Sequence, residues 1–153
     1  MPIEIGRPAP SFSALGADGR RVSSADYLGK QTLVVFFYPK DGTSVCTKEA
    51  CAFRDAYQDF VEAGAAVIGV SADSDDSHRS FAADHRLPYT LLSDRDGALR
   101  KLFGVGKTLG LIPGRVTFVI DKAGTVRHVY SALLASDRHV VEALATVRNL
   151  AKS

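Results

Sequence analysis

The sequence predicts an α/β domain with a mixed central sheet and helices on both faces. Three observations carry this reading. Residues 32–38, TLVVFFY, form a continuous β-branched and aromatic run without alternation, which suits a central strand covered on both sides. Residues 46–63 place Ala50, Phe53, Ala56, Tyr57, Phe60 and Val61 at spacings of three and four, the period of a helix. Strand and helix segments then alternate along the chain until two strands, 116–120 and 125–130, meet across the short connection 121–124, which argues for an antiparallel pair at one side of the sheet.

The remaining elements fall into place around these. Residues 2–10 read as an irregular arm, because Pro8 and Pro10 block regular pairing. Residues 11–15 and 21–23 form a small hairpin around the turn signal Asp18-Gly19. Residues 24–29 make a short helical turn closed by Gly29. Pro39 stops the central strand, and 40–45 form a polar loop. Gly64 ends the long helix in the usual C-terminal position, and 65–70, AAVIGV, is the next strand. A polar helix over 74–85 carries Phe81 and Ala82 inward, and Leu87-Pro88 breaks it before the strand 89–92. A turn over 93–97 leads to a short helix ending near Phe103, and the glycine-bearing stretch 104–114 reads as a loop. Ser136 is the expected N-cap of a last helix with Val140, Val141, Leu144, Val147 and Leu150 on its inner face. A thioredoxin-like fold fits this order, which right-handed crossovers restrict further.

With 153 residues, the chain reads as a single domain over 1–153. A chain of that size buries roughly 68% of its unfolded surface and builds a core without a disulfide framework. Apolar residues make up 46% and charged residues 24%, which excludes a disordered or collagen-like chain. The formal net charge of +2 gives no argument for nucleic acid or an anionic membrane as partner. No apolar run approaches the ~20 residues of a membrane helix. The first twelve residues carry neither a basic segment nor a long apolar one, so a cytoplasmic location is expected.

The chemistry concentrates in residues 36–54, FFYPKDGTSVCTKEACAFR. Cys46 follows a loop leaving the carboxyl end of a buried strand, where open α/β sheets hold their sites. If Thr43 caps the helix, Cys46 is its third residue, and a thiolate there faces free backbone N–H groups and the positive end of the helix dipole. Cys51 lies five residues on. Five helical residues advance about 7.5 Å and turn by about 500°, so the two thiols cannot bond while the helix is intact. Two readings stay open on spacing alone: Cys51 is a small buried residue, or the first helical turns melt so that the sulfurs meet. The pair is not C-x-x-C, and no spacing among His78, His85, His128 and His139 supports a zinc site, so these histidines are expected on the surface or in packing. No phosphate-binding glycine loop is present.

Residues 39–46, Pro-Lys-Asp-Gly-Thr-Ser-Val-Cys, match the signature P-x-x-x-T/S-x-x-C, and on this basis the chain resembles the peroxiredoxins. The continuation to Cys51, the stretch 69–94 (GVSADSDDSHRSFAADHRLPYTLLSD) and Arg115 ahead of TFVID resemble the peroxiredoxin Q, or bacterioferritin comigratory protein, subgroup. The resemblance spans residues 6–150. Ser44-Val45 stands where the subgroup commonly has Pro-Gly, a change that bears on loop stiffness but removes no functional group.

The resemblance implies a role for each site residue. Cys46 matches the peroxidatic cysteine and Cys51 the resolving one. Pro39, which taken alone only ends a strand, becomes a rigid wall without an N–H beside the thiolate. Thr43, otherwise a helix cap, offers a hydroxyl that both donates and accepts. Arg115, otherwise a solvated residue beside Gly114, supplies fixed donors to thiolate and peroxide. Glu49, otherwise a favourable charge in the first helical turns, orients an arginine. The implied reaction is reduction of hydrogen peroxide and small alkyl hydroperoxides through a Cys46 sulfenic acid and a Cys46–Cys51 disulfide, recycled by thioredoxin or a similar dithiol. The resemblance implies no metal, flavin or haem, and a monomer. Rival readings are a general thiol–disulfide oxidoreductase, against which the C-x-x-x-x-C spacing weighs, and a redox-switched binding protein.

Overall fold

A computed structural model describes residues 2–108 and 112–152. Its centre is β3 (Thr32–Phe37), all six residues of which are buried. β3 pairs in parallel with β4 (Ala65–Ser71), Val35 opposite Ile68, and antiparallel with β8 (Val116–Ile120), Val35 opposite Phe118. β5 (Thr90–Ser93) extends the sheet beyond β4 and β9 (Val126–Ser131) beyond β8, giving the order β5-β4-β3-β8-β9. The unalternating run in β3 is explained by this position. Val34, Phe36 and Tyr38 point to one core, and Leu33, Val35 and Phe37 to the other, so both faces of the strand are covered.

The first core is closed by α1 (Ser44–Asp55), α2 (Tyr57–Glu62), α5 (Ser136–Ala151) and Phe81 of α3 (Asp75–His85). Phe36 stacks on Phe53 of α1 with ring centroids 4.3 Å apart. The second core lies under α4 (Ala98–Phe103), whose Phe103 ring meets those of Phe37 and Phe118 at 5.3 and 5.1 Å, and under Phe12 and Val22 beside the hairpin of β1 (Ser13–Leu15) and β2 (Arg21–Ser23). The fold is the expected thioredoxin-like one, a mixed sheet with helices on both faces. Gly69 shows how tightly the sheet packs on α1. A Cβ there would lie 2.8 Å from Leu91 Cδ2 and 2.9 Å from the Phe36 ring.

Four expectations are corrected. The helix expected over 46–63 begins at Ser44 and is interrupted at Ala56 (φ −92, ψ 0), leaving α1 and α2. Hydrogen bonds from Ala56 N to Ala52 O and from Phe60 N to Ala56 O run through the break, so the apolar period continues across it and conceals it. Ser136 is the first residue of α5, and Ala135 occupies the cap position. Val140 and Val147 are buried and Leu144 and Leu150 pack against the first core, as expected, joined by buried His139 and Ala143, while Val141 is 64% exposed, because each residue turns about 100° from the last. Within 104–114, β6 (Lys107–Thr108) pairs with β7 (Ile112–Pro113), where a loop was expected. Leu109, Gly110 and Leu111 lie outside the described residues.

Candidate active site

β3 delivers the chain to the site. Tyr38 and half-buried Pro39 leave its carboxyl end, and Gly42 (φ +77) turns the loop back. Thr43 takes the cap position of α1 with extended backbone (φ −77, ψ 155), and its carbonyl accepts the first helical bond from Thr47 N at 2.8 Å. Cys46 is therefore the third helical residue, as expected, inside the turn whose backbone N–H groups have no intrahelical acceptor. The expected cap bond from the Thr43 side chain is absent. Its hydroxyl instead donates to the Lys40 carbonyl at 2.9 Å, which leaves an exposed oxygen lone pair free to accept a hydrogen bond from a visiting molecule.

The register of β3 and β8 brings Arg115 to Cys46. The last residue pair is Phe37–Val116, so the next residues outward, Tyr38 and Arg115, share the end of the sheet where α1 begins. Arg115 is 3% exposed, and its guanidinium is held by three acceptors. Nη2 donates to Cys46 Sγ at 3.1 Å, Nη1 to Glu49 Oε1 at 2.6 Å, and Nε to the Leu133 carbonyl at 2.7 Å. Glu49 is reached because it lies one turn beyond Cys46 on the buried face of α1. Burial pushes the Glu49 carboxyl up to about 7 against the downward pull of Arg115.

Of the expected site residues, Cys46, Arg115 and Glu49 form one buried contact group, and Pro39 and Thr43 belong to the loop that leads into it. Cys51 stands apart. It is a half-buried free thiol on the same unbroken helix, and Cys46 is a free thiol that is 1% exposed.

The structure adds groups that the sequence reading passed over. Asp41, in the loop ahead of Cys46, accepts from Tyr38 Oη at 2.6 Å and Ser77 Oγ at 2.9 Å, and lies 2.7 Å from His78 Nδ1. Those contacts hold its carboxyl below the usual range against the upward effect of burial. His78 is fully buried and its Nε2 donates to the Leu92 carbonyl at 3.0 Å. Asp41, Asp73 and His78 have the chemistry of metal ligands, with ligand atoms within 4.8 Å of one another. Those atoms are already engaged within the protein, since Asp73 Oδ2 also accepts from Asp41 N and Ser71 Oγ. Arg100 ties the two converging chain ends together, donating to the carbonyls of Tyr38 at 3.1 Å and Gly114 at 3.3 Å. His139 and Thr117 sit behind Glu49. The only sequence signal for these was composition, a histidine in a polar helix and an aspartate in a polar loop.

The AhpC/TSA family matches residues 5–129. Peroxiredoxin Q of Triticum aestivum is 45% identical over 149 residues, covering 97% of this chain and 68% of the relative. Peroxiredoxin Q of Gentiana triflora is 48% identical over 143 residues, covering 93% and 65%. The chain thus spans about two thirds of the length of these curated relatives. Among solved structures, peroxidoxin BcpB of Mycobacterium tuberculosis superposes with a TM-score of 0.89 at 36% identity, covering 97% of this chain and 98% of that one. Both plant relatives are chloroplastic proteins, a finding that overturns the expected cytoplasmic location. That expectation rested on the composition of the first twelve residues. From the sheet order, the buried Cys46–Arg115–Glu49 group and these relatives together, the chain belongs to the AhpC/TSA family and, within it, to the peroxiredoxin Q group of thiol-dependent peroxidases.

Proposed function

We propose that this single domain reduces hydrogen peroxide and small alkyl hydroperoxides, with Cys46 as the attacking thiolate. The observation that carries the reading is Arg115 Nη2 at 3.1 Å from Cys46 Sγ. A donor fixed there by Glu49 and the Leu133 carbonyl needs no reorganisation when charge develops. Cys46 sulfur attacks the nearer peroxide oxygen, the O–O bond breaks, and the leaving oxygen departs as water or alcohol after taking a proton. The sulfur is oxidised by two electrons to the sulfenic acid. Arg115 and the backbone N–H groups of the first helical turn stabilise the leaving oxygen, which takes its proton from solvent, while the Thr43 oxygen accepts a hydrogen bond from the peroxide O–H. Pro39 walls the site on the strand side and presents no competing N–H.

Cys51 thiol then attacks the Cys46 sulfenic sulfur, releasing water and forming the disulfide. The helical spacing keeps the two sulfurs apart until the first turns of α1 open. Opening also exposes the disulfide to an external dithiol, and thioredoxin or a similar protein returns both thiols through a mixed disulfide. A monomer is part of the same reading.

The test is peroxide consumption coupled to thioredoxin, run on the unsubstituted chain, Cys46→Ser and Cys51→Ser. Cys46→Ser is expected to be inactive, and retained turnover in that variant removes Cys46 from its role.

A further inference from the structure

The resolving step needs α1 to open, and the bonds along α1 differ sharply between its two halves. The first turns are weakly secured. Thr43 makes no side-chain cap bond, and no acidic side chain stands in the first turn. Ser44 and Lys48 are exposed. Arg115 ties these turns down, through Cys46 Sγ at 3.1 Å and Glu49 Oε1 at 2.6 Å. Oxidation of Cys46 to a neutral sulfenic acid takes the charge out of the first of those contacts. On either side the chain is fastened by groups that this oxidation does not touch. Upstream, Asp41 N donates to Asp73 Oδ2 at 2.8 Å, and the Asp41 carboxylate accepts from Tyr38 Oη at 2.6 Å and Ser77 Oγ at 2.9 Å. Downstream, Tyr89, just ahead of β5, donates its hydroxyl to the Ala50 carbonyl at 2.6 Å. Both residues are buried, and burial pushes the phenol well up, so it remains a donor. Phe53 follows one turn later, stacked on Phe36, whose ring Tyr89 meets edge-on at 5.6 Å. Arg54 Nη1 then donates to the His85 carbonyl at the end of α3 at 2.8 Å.

We propose that Tyr89 is a positioning residue for the resolving step: its hydroxyl, bonded to the Ala50 carbonyl, stops the opening of α1 at Ala50, so that Cys51 keeps its place and the Cys46 sulfenic acid travels to it. The inference rests on the reading of Cys51 as the resolving thiol. In a helix the Ala50 carbonyl accepts from Arg54 N, four residues on, and Tyr89 gives the same oxygen a second donor. When the turns before it melt, the amides of Cys51, Ala52 and Phe53 lose their acceptors at Thr47, Lys48 and Glu49, while that of Arg54 keeps its own. The segment left free runs from 42 to 49 and begins at Gly42, whose φ of +77 suits a hinge. The stretch from Asp41 to Cys46 spans up to about 16–18 Å when extended, ample to bring the two cysteine Cα atoms within the ~6.8 Å of a disulfide with both ends held. A fixed Cys51 meets the sulfenic sulfur at higher effective concentration than a thiol on unravelled chain. The S–S bond forms as the S–O bond breaks, and the hydroxyl leaves as water with the proton of the Cys51 thiol.

Hydrogen–deuterium exchange read at single amides, on the intact chain reduced and after one equivalent of peroxide, tests this. Oxidation is expected to strip protection from the amides of 47–53 and to leave it on Arg54 and Asp55. Tyr89→Phe keeps the ring in the core and removes only the donor. In that variant the loss is expected to reach Arg54 and Asp55. In stopped flow its disulfide-forming phase is expected to slow by about 2–10-fold relative to the preceding oxidation of Cys46, the worth of one hydrogen bond. A hydroxyl that only stabilised the fold would not separate the two phases. Protection lost through Asp55 in the oxidised unsubstituted chain overturns the proposal, and that measurement needs no variant to fold. A Tyr89→Phe chain in which either the exchange boundary or the ratio of the two phases is unchanged overturns it equally. Absence of a Cys46–Cys51 linkage in the mass spectrum after peroxide would defeat the resolving role of Cys51 and the proposal with it, whereas a linkage formed with a displaced boundary defeats the proposal alone.

Discussion

Arg115 donates to Cys46 Sγ at 3.1 Å although the two residues stand 69 apart in the sequence. The contact exists because β8 returns antiparallel to β3 and ends its pairing at Phe37–Val116, one residue short of both Arg115 and the loop into α1. The same guanidinium is braced by Glu49 and by the Leu133 carbonyl, so the donor aimed at sulfur has little freedom to turn away.

Arg115→Ala is accordingly expected to slow peroxide oxidation of Cys46 by about 10²–10³-fold, the usual cost of one preorganised donor. Stopped-flow fluorescence or competition for peroxide would measure it. Arg115→Lys is expected to restore little, because an ammonium cannot serve sulfur, carboxyl and carbonyl in one plane. An unchanged rate in Arg115→Ala would separate the arginine from the chemistry.

Cys51→Ser is expected to undergo one oxidation event and then stop turning over with thioredoxin. Mass spectrometry of the peroxide-treated unsubstituted chain should show loss of two hydrogens linking Cys46 and Cys51. A persistent sulfenic acid in the unsubstituted chain would point to a cycle using one cysteine.

The buried pair Glu49 and His139 sets a pH dependence of stability. Glu49 is raised in the folded state from 4.5 to about 7, so its contribution is complete below 4.5 and is lost as pH rises through 7. His139 is lowered from 6.5 to about 4, so its contribution is complete above 6.5 and is lost as pH falls through 4. Across pH 4.5–6.5 the two slopes have opposite sign and offset each other. His139→Gln removes one of them, and urea midpoints of that variant are expected to fall more steeply with rising pH than those of the unsubstituted chain. A level profile in the variant would reject the assignment.

His78 and Asp41 join α3 to the loop ahead of Cys46 at 2.7 Å, with the His78 side chain fully buried and the Asp41 side chain 5% exposed. His78→Ala leaves Asp41 buried beside Tyr38 and Ser77, and is expected to cost about 3–5 kcal/mol in urea unfolding. A loss below about 1 kcal/mol would show the pair to be worth no more than a surface contact.

Gly69→Ala places a methyl 2.8 Å from Leu91 Cδ2 and 2.9 Å from the Phe36 ring, which is itself stacked on Phe53. Neither ring can retreat without disturbing α1, so a loss of about 1–3 kcal/mol is expected in the same assay. A stability equal to that of the unsubstituted chain would mean that the sheet and α1 are looser than these distances.

The sequence by itself determined the strands of the sheet, the helix periods and the place of Cys46 at the third position of α1. These depend on neighbours along the chain: apolar runs, residues three and four apart, and Gly or Pro at the ends. The resemblance of residues 39–46 then supplied the remaining roles. Tertiary structure alone decided which distant groups meet. Strand register put Arg115 on Cys46, and helix rotation turned His139 inward and Val141 outward. The break at Ala56 was invisible because the hydrogen-bond ladder and the apolar period both survive it. The Thr43 hydroxyl chose the Lys40 carbonyl over the helix end, a choice between two acceptors that residue type cannot make. Asp41, His78 and the Glu49–His139 contact acquire their character from burial, and the burial of a polar side chain is settled only when the elements around it have packed.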